Sequence, residues 1–138
     1  MATFNLFTNA GLTVVFGGTL LIDQNVDGST GPVDTQLWIG STAVGKTLQA
    51  DSDPGVDQIV MSINDSAPAM GNPATDVKLA STQGGLAGAT PGASLNLGTS
   101  ILSGVGNAVT FWIRVEDSTN TLGVSTELQF LTNLTRET

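Results

Sequence analysis

Val109-Thr110-Phe111-Trp112-Ile113-Arg114-Val115 alternates apolar and polar side chains residue by residue. Period two puts Val109, Phe111, Ile113 and Val115 on one face and Thr110, Trp112 and Arg114 on the other, which is a β-strand covered mainly on one side. Asp117-Ser118-Thr119-Asn120-Thr121 follows as a turn, and residues 128–134 return as the expected hairpin partner. Working outward, the same alternation predicts strands over residues 12–22 with a Gly17-Gly18 bulge, 36–41, 46–50, 56–63, 76–80 and 94–97. No stretch holds a 3.6-residue period long enough for a helix. Asp27-Gly28, Asp53-Pro54-Gly55, Asn72-Pro73, Gly84-Gly85 and Pro91-Gly92 punctuate the strands with turn chemistry. The expectation is an all-β chain, an antiparallel β-sandwich of immunoglobulin-like or jelly-roll type.

The 138 residues suit a single domain (1–138), within which residues 1–11 read either as an N-terminal arm or as an ordinary first strand. Residues 64–75 and 83–93 are rich in Gly, Pro and small side chains, so they are expected to be loops with little to anchor them in a core. Met1 to Phe7 carries no positive charge, and the apolar stretch 12–22 is interrupted by glycines and too short to span a bilayer. Neither a signal peptide nor a membrane segment is expected.

Composition excludes much chemistry. With 0 Cys and 0 His there is no thiolate, no disulfide and no imidazole base, and the 19 Thr and 11 Ser lack a partner that would activate a hydroxyl. The 12 acids are scattered through turns with no acid/base couple among them. The formal net charge of −8, with only 4 Lys and Arg, repels phosphate backbones and anionic lipid. The expectation is therefore no catalytic residue, no nucleic-acid partner and no membrane partner.

Two strings invite a sharper reading. Gly40-Ser41-Thr42-Ala43-Val44-Gly45-Lys46-Thr47 satisfies the P-loop expression, but that site needs a helix to start at the lysine, and Asp53-Pro54-Gly55 leaves no room for one. A plain β-hairpin is expected there. Asp23-Gln24-Asn25-Val26-Asp27-Gly28 matches the opening of an EF-hand loop, with Asp34 at its twelfth position. Pro32 and strand-like flanks argue against an EF-hand, which leaves two readings: a non-helical calcium loop through Asp23, Asn25, Asp27 and Asp34, or an exposed acidic turn. Apart from that calcium, no cofactor is expected.

Alternation also turns Trp38 away from Leu37 and Ile39, as it turns Trp112 away from Phe111 and Ile113. Trp and Arg on an otherwise neutral face are the residue types that dominate protein contacts. Trp38, Trp112 and Arg114, with Phe4, Leu6 and Phe7 of the N-terminal stretch, are the expected interface residues. The other reading places both indoles in a core and Phe4 to Phe7 in a strand.

Leu37-Trp38-Ile39-Gly40-Ser41, Gly45-Lys46-Thr47-Leu48-Gln49 and Asp53-Pro54-Gly55-Val56-Asp57-Gln58-Ile59 resemble small virion structural proteins of tailed bacteriophages. The run Val109 to Phe130 is similar to the closing hairpin of immunoglobulin-like or fibronectin-type domains on phage shells. The resemblance implies a capsid decoration (cement) protein, made in the host bacterial cytoplasm and residing in the virion. It implies binding to the major capsid protein and to copies of itself, commonly as a trimer. A tail or head-tail connector protein and a carbohydrate-binding β-sandwich module are the alternatives.

Overall fold

The computed structural model describes residues 3–25, 27, 29–118, 123 and 125–138. These form ten strands: β1 (Asn5–Phe7), β2 (Val33–Gly40), β3 (Thr47–Ala50), β4 (Val60–Asp65), β5 (Val77–Ala80), β6 (Leu95–Asn96), β7 (Ser100–Leu102), β8 (Val109–Val115), β9 (Leu128–Thr132) and β10 (Thr135–Glu137). Three 3-10 turns are the only helical elements among the described residues. Every strand pairing is antiparallel. The fold is an all-β antiparallel sandwich.

The first layer runs β1-β2-β8-β5. Its spine is the pairing of β2 with β8, in register from Val33 opposite Val115 to Ile39 opposite Val109. Opposed residues share a face, so Leu37, Ile39, Phe111 and Ile113 all point inward and are 0–1% exposed.

The second layer comprises β10-β3-β7 and β6-β4-β9, and these are the two halves of one three-stranded surface. β3 and β4 follow each other down its middle. On one flank Asp51 N–H donates to Leu134 O (2.9 Å) and Asn133 N–H to Val60 O (3.2 Å). On the other, Ile59 N–H donates to Gly98 O (2.8 Å) and Leu97 N–H to Ile59 O (2.7 Å). Between β3 and β4 the chain leaves the layer as an exposed loop. Pro54 cannot donate to a ladder and Gly55 takes φ +84°, while Asp53 O accepts from Val56 N and Asp57 N.

Both layers feed one core: Phe4, Leu37, Ile39, Val77, Leu79, Phe111 and Ile113 from the first, and Leu48, Ile59, Met61, Leu97 and Ile101 from the second.

Several expectations are corrected. Residues 128–134 do not return beside β8. β9 pairs with β4 in the other layer, because β8 already has β2 on one side and β5 on the other. The run similar to a closing hairpin is therefore a crossover, and the part of its turn at residues 119–122 lies outside the described residues.

Residues 40–47 do not form a hairpin either. β2 and β3 belong to different layers, and the link between them is held to the neighbouring loop by Gly104 N–H to Ser41 O and Ser103 N–H to Lys46 O (both 2.8 Å).

Residues 12–22 are not a strand. The side-chain oxygen of Asn9 accepts from Thr13 N and Val14 N in a tight reversal, after which residues 14–16 return beside β1 in a single bridge, Val15 opposite Phe7. β7 and β10 carry no alternation signal, being three residues long. The loop at 83–93 is anchored after all, by Leu86 at 0% exposure.

Of the two readings of the N-terminus, the strand is observed. Phe4 is buried in the core, β1 pairs with β2, and Thr3 N–H and hydroxyl both donate to the Glu137 carboxylate. Met1 and Ala2 lie outside the described residues.

Leu86→Ala is expected to cost about 2–5 kcal/mol, the range of a core leucine. Leu134→Ala, at a position 82% exposed, should change stability by less than about 0.5 kcal/mol. Urea denaturation of the two variants checks both.

Candidate functional site

The outward face of the first layer gathers four of the expected interface residues, Phe7, Trp38, Trp112 and Arg114. Strand register sets them in ranks: Phe7, Trp38 and Thr110; then Gln36, Trp112 and Ala80; then Asp34, Arg114 and Lys78. Trp38 and Trp112 are diagonal neighbours, since Trp38 opposes Thr110 and Gln36 opposes Trp112. Diagonal positions lie within reach of each other for aromatic rings. Both indoles are half-buried, which falls between the two readings of the sequence.

Two segments lie over this face. At one end Leu12, 3% exposed, lies over Gly40, where an added Cβ would stand 2.9 Å from Leu12 Cδ1. At the other, the 3-10 turn Gly84–Leu86 lies against β5 and β8, with Gly85 close to Ala80 Cβ. Phe7, Leu12, Ala80 and Leu86 are all buried yet stand outside the main core cluster.

Phe7 thus shares a rank with Trp38 but is 5% exposed, Leu6 points inward, and Phe4 is in the core. These three are spent on folding and leave Trp38, Trp112 and Arg114 as the accessible members.

Arg114 grips Asp34 with two parallel bonds, Nε to Oδ1 at 2.7 Å and the terminal nitrogen to Oδ2 at 2.9 Å. The side chains are 24% and 16% exposed. That guanidinium, helped by the Gln83 amide, holds the Asp34 carboxyl below the usual carboxylate range against the opposing effect of burial. Two of the four cations of the chain, Lys78 and Arg114, stand on this face. Asp34, together with the field of Glu116 just past β8, balances them. The face is nearly neutral on a molecule of net charge −8.

The acidic-loop residues are not brought together around one point. Asp23 and Asn25 are exposed, Asp27 accepts from Ser29 N at 2.9 Å, and Asp34 faces Arg114 from β2. Val26 and Gly28 of that motif lie outside the described residues. Among the described residues no three acids group as they would around a metal ion. At residues 40–47 no helix begins at Lys46, and the strand that follows runs in the second layer.

One polar cluster has no signal in the sequence beyond the Asn72-Pro73 turn. Asp76, 6% exposed, accepts from Asn72 Nδ2 (2.9 Å) and from the Ser118 N–H and hydroxyl, and the same Asn72 nitrogen donates to Asp117 Oδ1 (2.7 Å). These bonds tie the loop before β5 to the end of β8. They satisfy a buried carboxylate and offer no open position for a reacting group.

The chain matches no known protein-family model, no curated protein and no solved structure.

The carboxyls of Asp34, Glu127 and Glu137 are all lowered, chiefly by hydrogen bonds from Arg114, Ser125 and Thr3 respectively. A lowered folded-state value means the unfolded chain binds the proton first. The contribution to stability is complete above the ordinary carboxylate value near 4 and is lost as pH falls through the lowered values. The melting temperature is expected to drop on acidification below about pH 4, and Asp34→Asn should blunt that drop. Because Arg114 occupies both Asp34 oxygens, millimolar calcium is expected to leave the melting temperature of the wild-type protein where EDTA leaves it.

Proposed function

We propose that this chain is a non-enzymatic virion structural protein, a capsid decoration (cement) protein that binds the outer shell and bridges capsomers through the outward face of β2 and β8. The observation that carries the reading is the grouping of Trp38, Trp112 and Arg114 on one near-neutral face of a strongly acidic molecule. Protein surfaces of like charge repel, so the neutral face is where another protein can approach without an electrostatic penalty. Half-buried indoles on a strand pair are partly preorganised, so less side-chain freedom remains to be lost on contact. A modest interface of this kind stabilises a shell by mass action over many copies.

The face offers recognition chemistry and no reaction chemistry. Asp34 is committed to Arg114, with the Lys78 ammonium in the same rank, and the remaining members of the three ranks are amide, hydroxyl, methyl and ring. The resemblance of residues 37–41, 45–49 and 53–59 to phage virion proteins supplies the partner, the major capsid protein.

Co-sedimentation with empty phage heads lacking the protein tests this. Trp112→Ala is expected to reduce occupancy by about tenfold or more, the effect of deleting a contact hot spot, with an unchanged far-ultraviolet spectrum. Wild-type protein that stays in the supernatant overturns the reading. Ring assembly in solution would instead favour a tail or connector part, and glycan binding by the isolated protein would favour a carbohydrate module.

A further inference from the structure

A sandwich of open sheets has strand edges, and each edge presents N–H and C=O groups able to template a further strand. Most edges here are guarded. The outer side of β1 is taken by the returning chain, with Thr8 N–H to Val14 O (2.9 Å) and Phe16 N–H to Leu6 O (2.8 Å). β5 carries Lys78, and its Val77 O already accepts from Gly92 N (2.8 Å). β6 and β7 are two and three residues long and are separated by Gly98 at φ +110°. β10 carries Arg136, paired with Asp51, and Glu137.

β9 has none of these protections. Leu128-Gln129-Phe130-Leu131-Thr132 contains no charge and no proline, and no described residue pairs with its outer side. Flanking bonds settle which groups are free. Ser66 N–H donates to Glu127 O and Asn133 N–H to Val60 O, so the ladder to β4 uses Glu127, Gln129, Leu131 and Asn133. By the alternation of an antiparallel pair, the backbone groups of Leu128, Phe130 and Thr132 point away from β4. Beside this edge, Leu131 is 48% and Leu134 82% exposed. Between β9 and β1 the sandwich leaves an apolar gap of about 260 Å³, lined by Leu6, Ile39, Met61, Phe130, Leu131 and Thr132.

We propose that β9 is a self-association edge, which pairs antiparallel with β9 of a second copy across a two-fold axis at Phe130. In that register Phe130 opposes Phe130 of the second copy, and Leu128 opposes its Thr132. These are the residues whose backbone groups are free, so each opposed pair exchanges both of its bonds and the edge is self-complementary. The inward sides of Leu128 and Phe130 meet their counterparts and extend the core between the layers. A second copy is favoured over a strand from another protein because the edge matches itself in register, length and hydrophobicity. The uncharged strand also lets two molecules of net charge −8 meet without opposing carboxylates at the contact. The proposal does not rest on the shell-binding reading.

The test is the mass of the full chain by sedimentation equilibrium from micromolar to millimolar concentration. The expected species is a dimer, twice 14.1 kDa. Leu131→Lys alters an exposed side chain beside the axis and is expected to raise the dimer dissociation constant at least tenfold. Thr132→Pro removes an outward N–H while leaving the bonds to β4, and is expected to yield a monomer with an unchanged far-ultraviolet spectrum. If Thr132→Pro fails to fold, Leu131→Lys alone decides. A monomer at every concentration, a trimer, or a dimer that survives Leu131→Lys overturns the proposal. A monomer that still co-sediments with heads overturns this pairing and leaves the shell reading standing.

Discussion

The pairing of β2 with β8 is the constraint on which the remaining structure depends. Seven residues on each strand meet in one register, and because side chains alternate with period two, a slip by one position would exchange the two faces. In the observed register Leu37, Ile39, Phe111 and Ile113 seal the core while Trp38, Trp112, Asp34 and Arg114 assemble outside it. The bidentate Arg114–Asp34 pair is satisfied only in this register, so the polar face and the apolar face select the same alignment. Core and contact face are two consequences of one alignment.

The second layer is organised differently. Its middle strand is interrupted by the excursion between β3 and β4, and the flanking chain bridges the gap on both sides. Such a layer tolerates a proline-glycine turn because the ladder resumes after it. What holds the ends of the sandwich together is bonding by side chains: Thr3 donates to Glu137 and accepts from the Ser41 hydroxyl, Asn133 joins β4, and Asn72 joins Asp76 and Glu127. Two of these acceptors, Glu127 and Glu137, have carboxyls lowered by their donors, which ties the closure of the fold to pH.

The net charge of −8 opposes the approach of like-charged surfaces, and the indole face of the first layer and the uncharged edge of β9 are places where that repulsion is relieved. They are on different layers, so the proposed shell contact and the proposed self-contact need not compete.

Local alternation was enough to read the strand at 109–115 to the residue, to recognise an all-β sandwich and to turn both indoles away from the apolar rows, because period two is a property of neighbouring residues. Strand partners were not legible in the same way. β9 follows β8 in the chain yet pairs with β4, since the sides of β8 are occupied by strands from elsewhere and pairing depends on which edges remain open. The same holds for the site. Trp38, Trp112 and Arg114 could be named from residue type, but that Leu12 lies over Gly40, that Asp34 pairs with Arg114, and that Phe4 and Phe7 are spent on packing, all follow from contacts between segments distant in sequence. The amino-acid order determined which way each side chain points along its own strand; only tertiary structure decided what it meets there, because burial is a relation between strands and not a property of one.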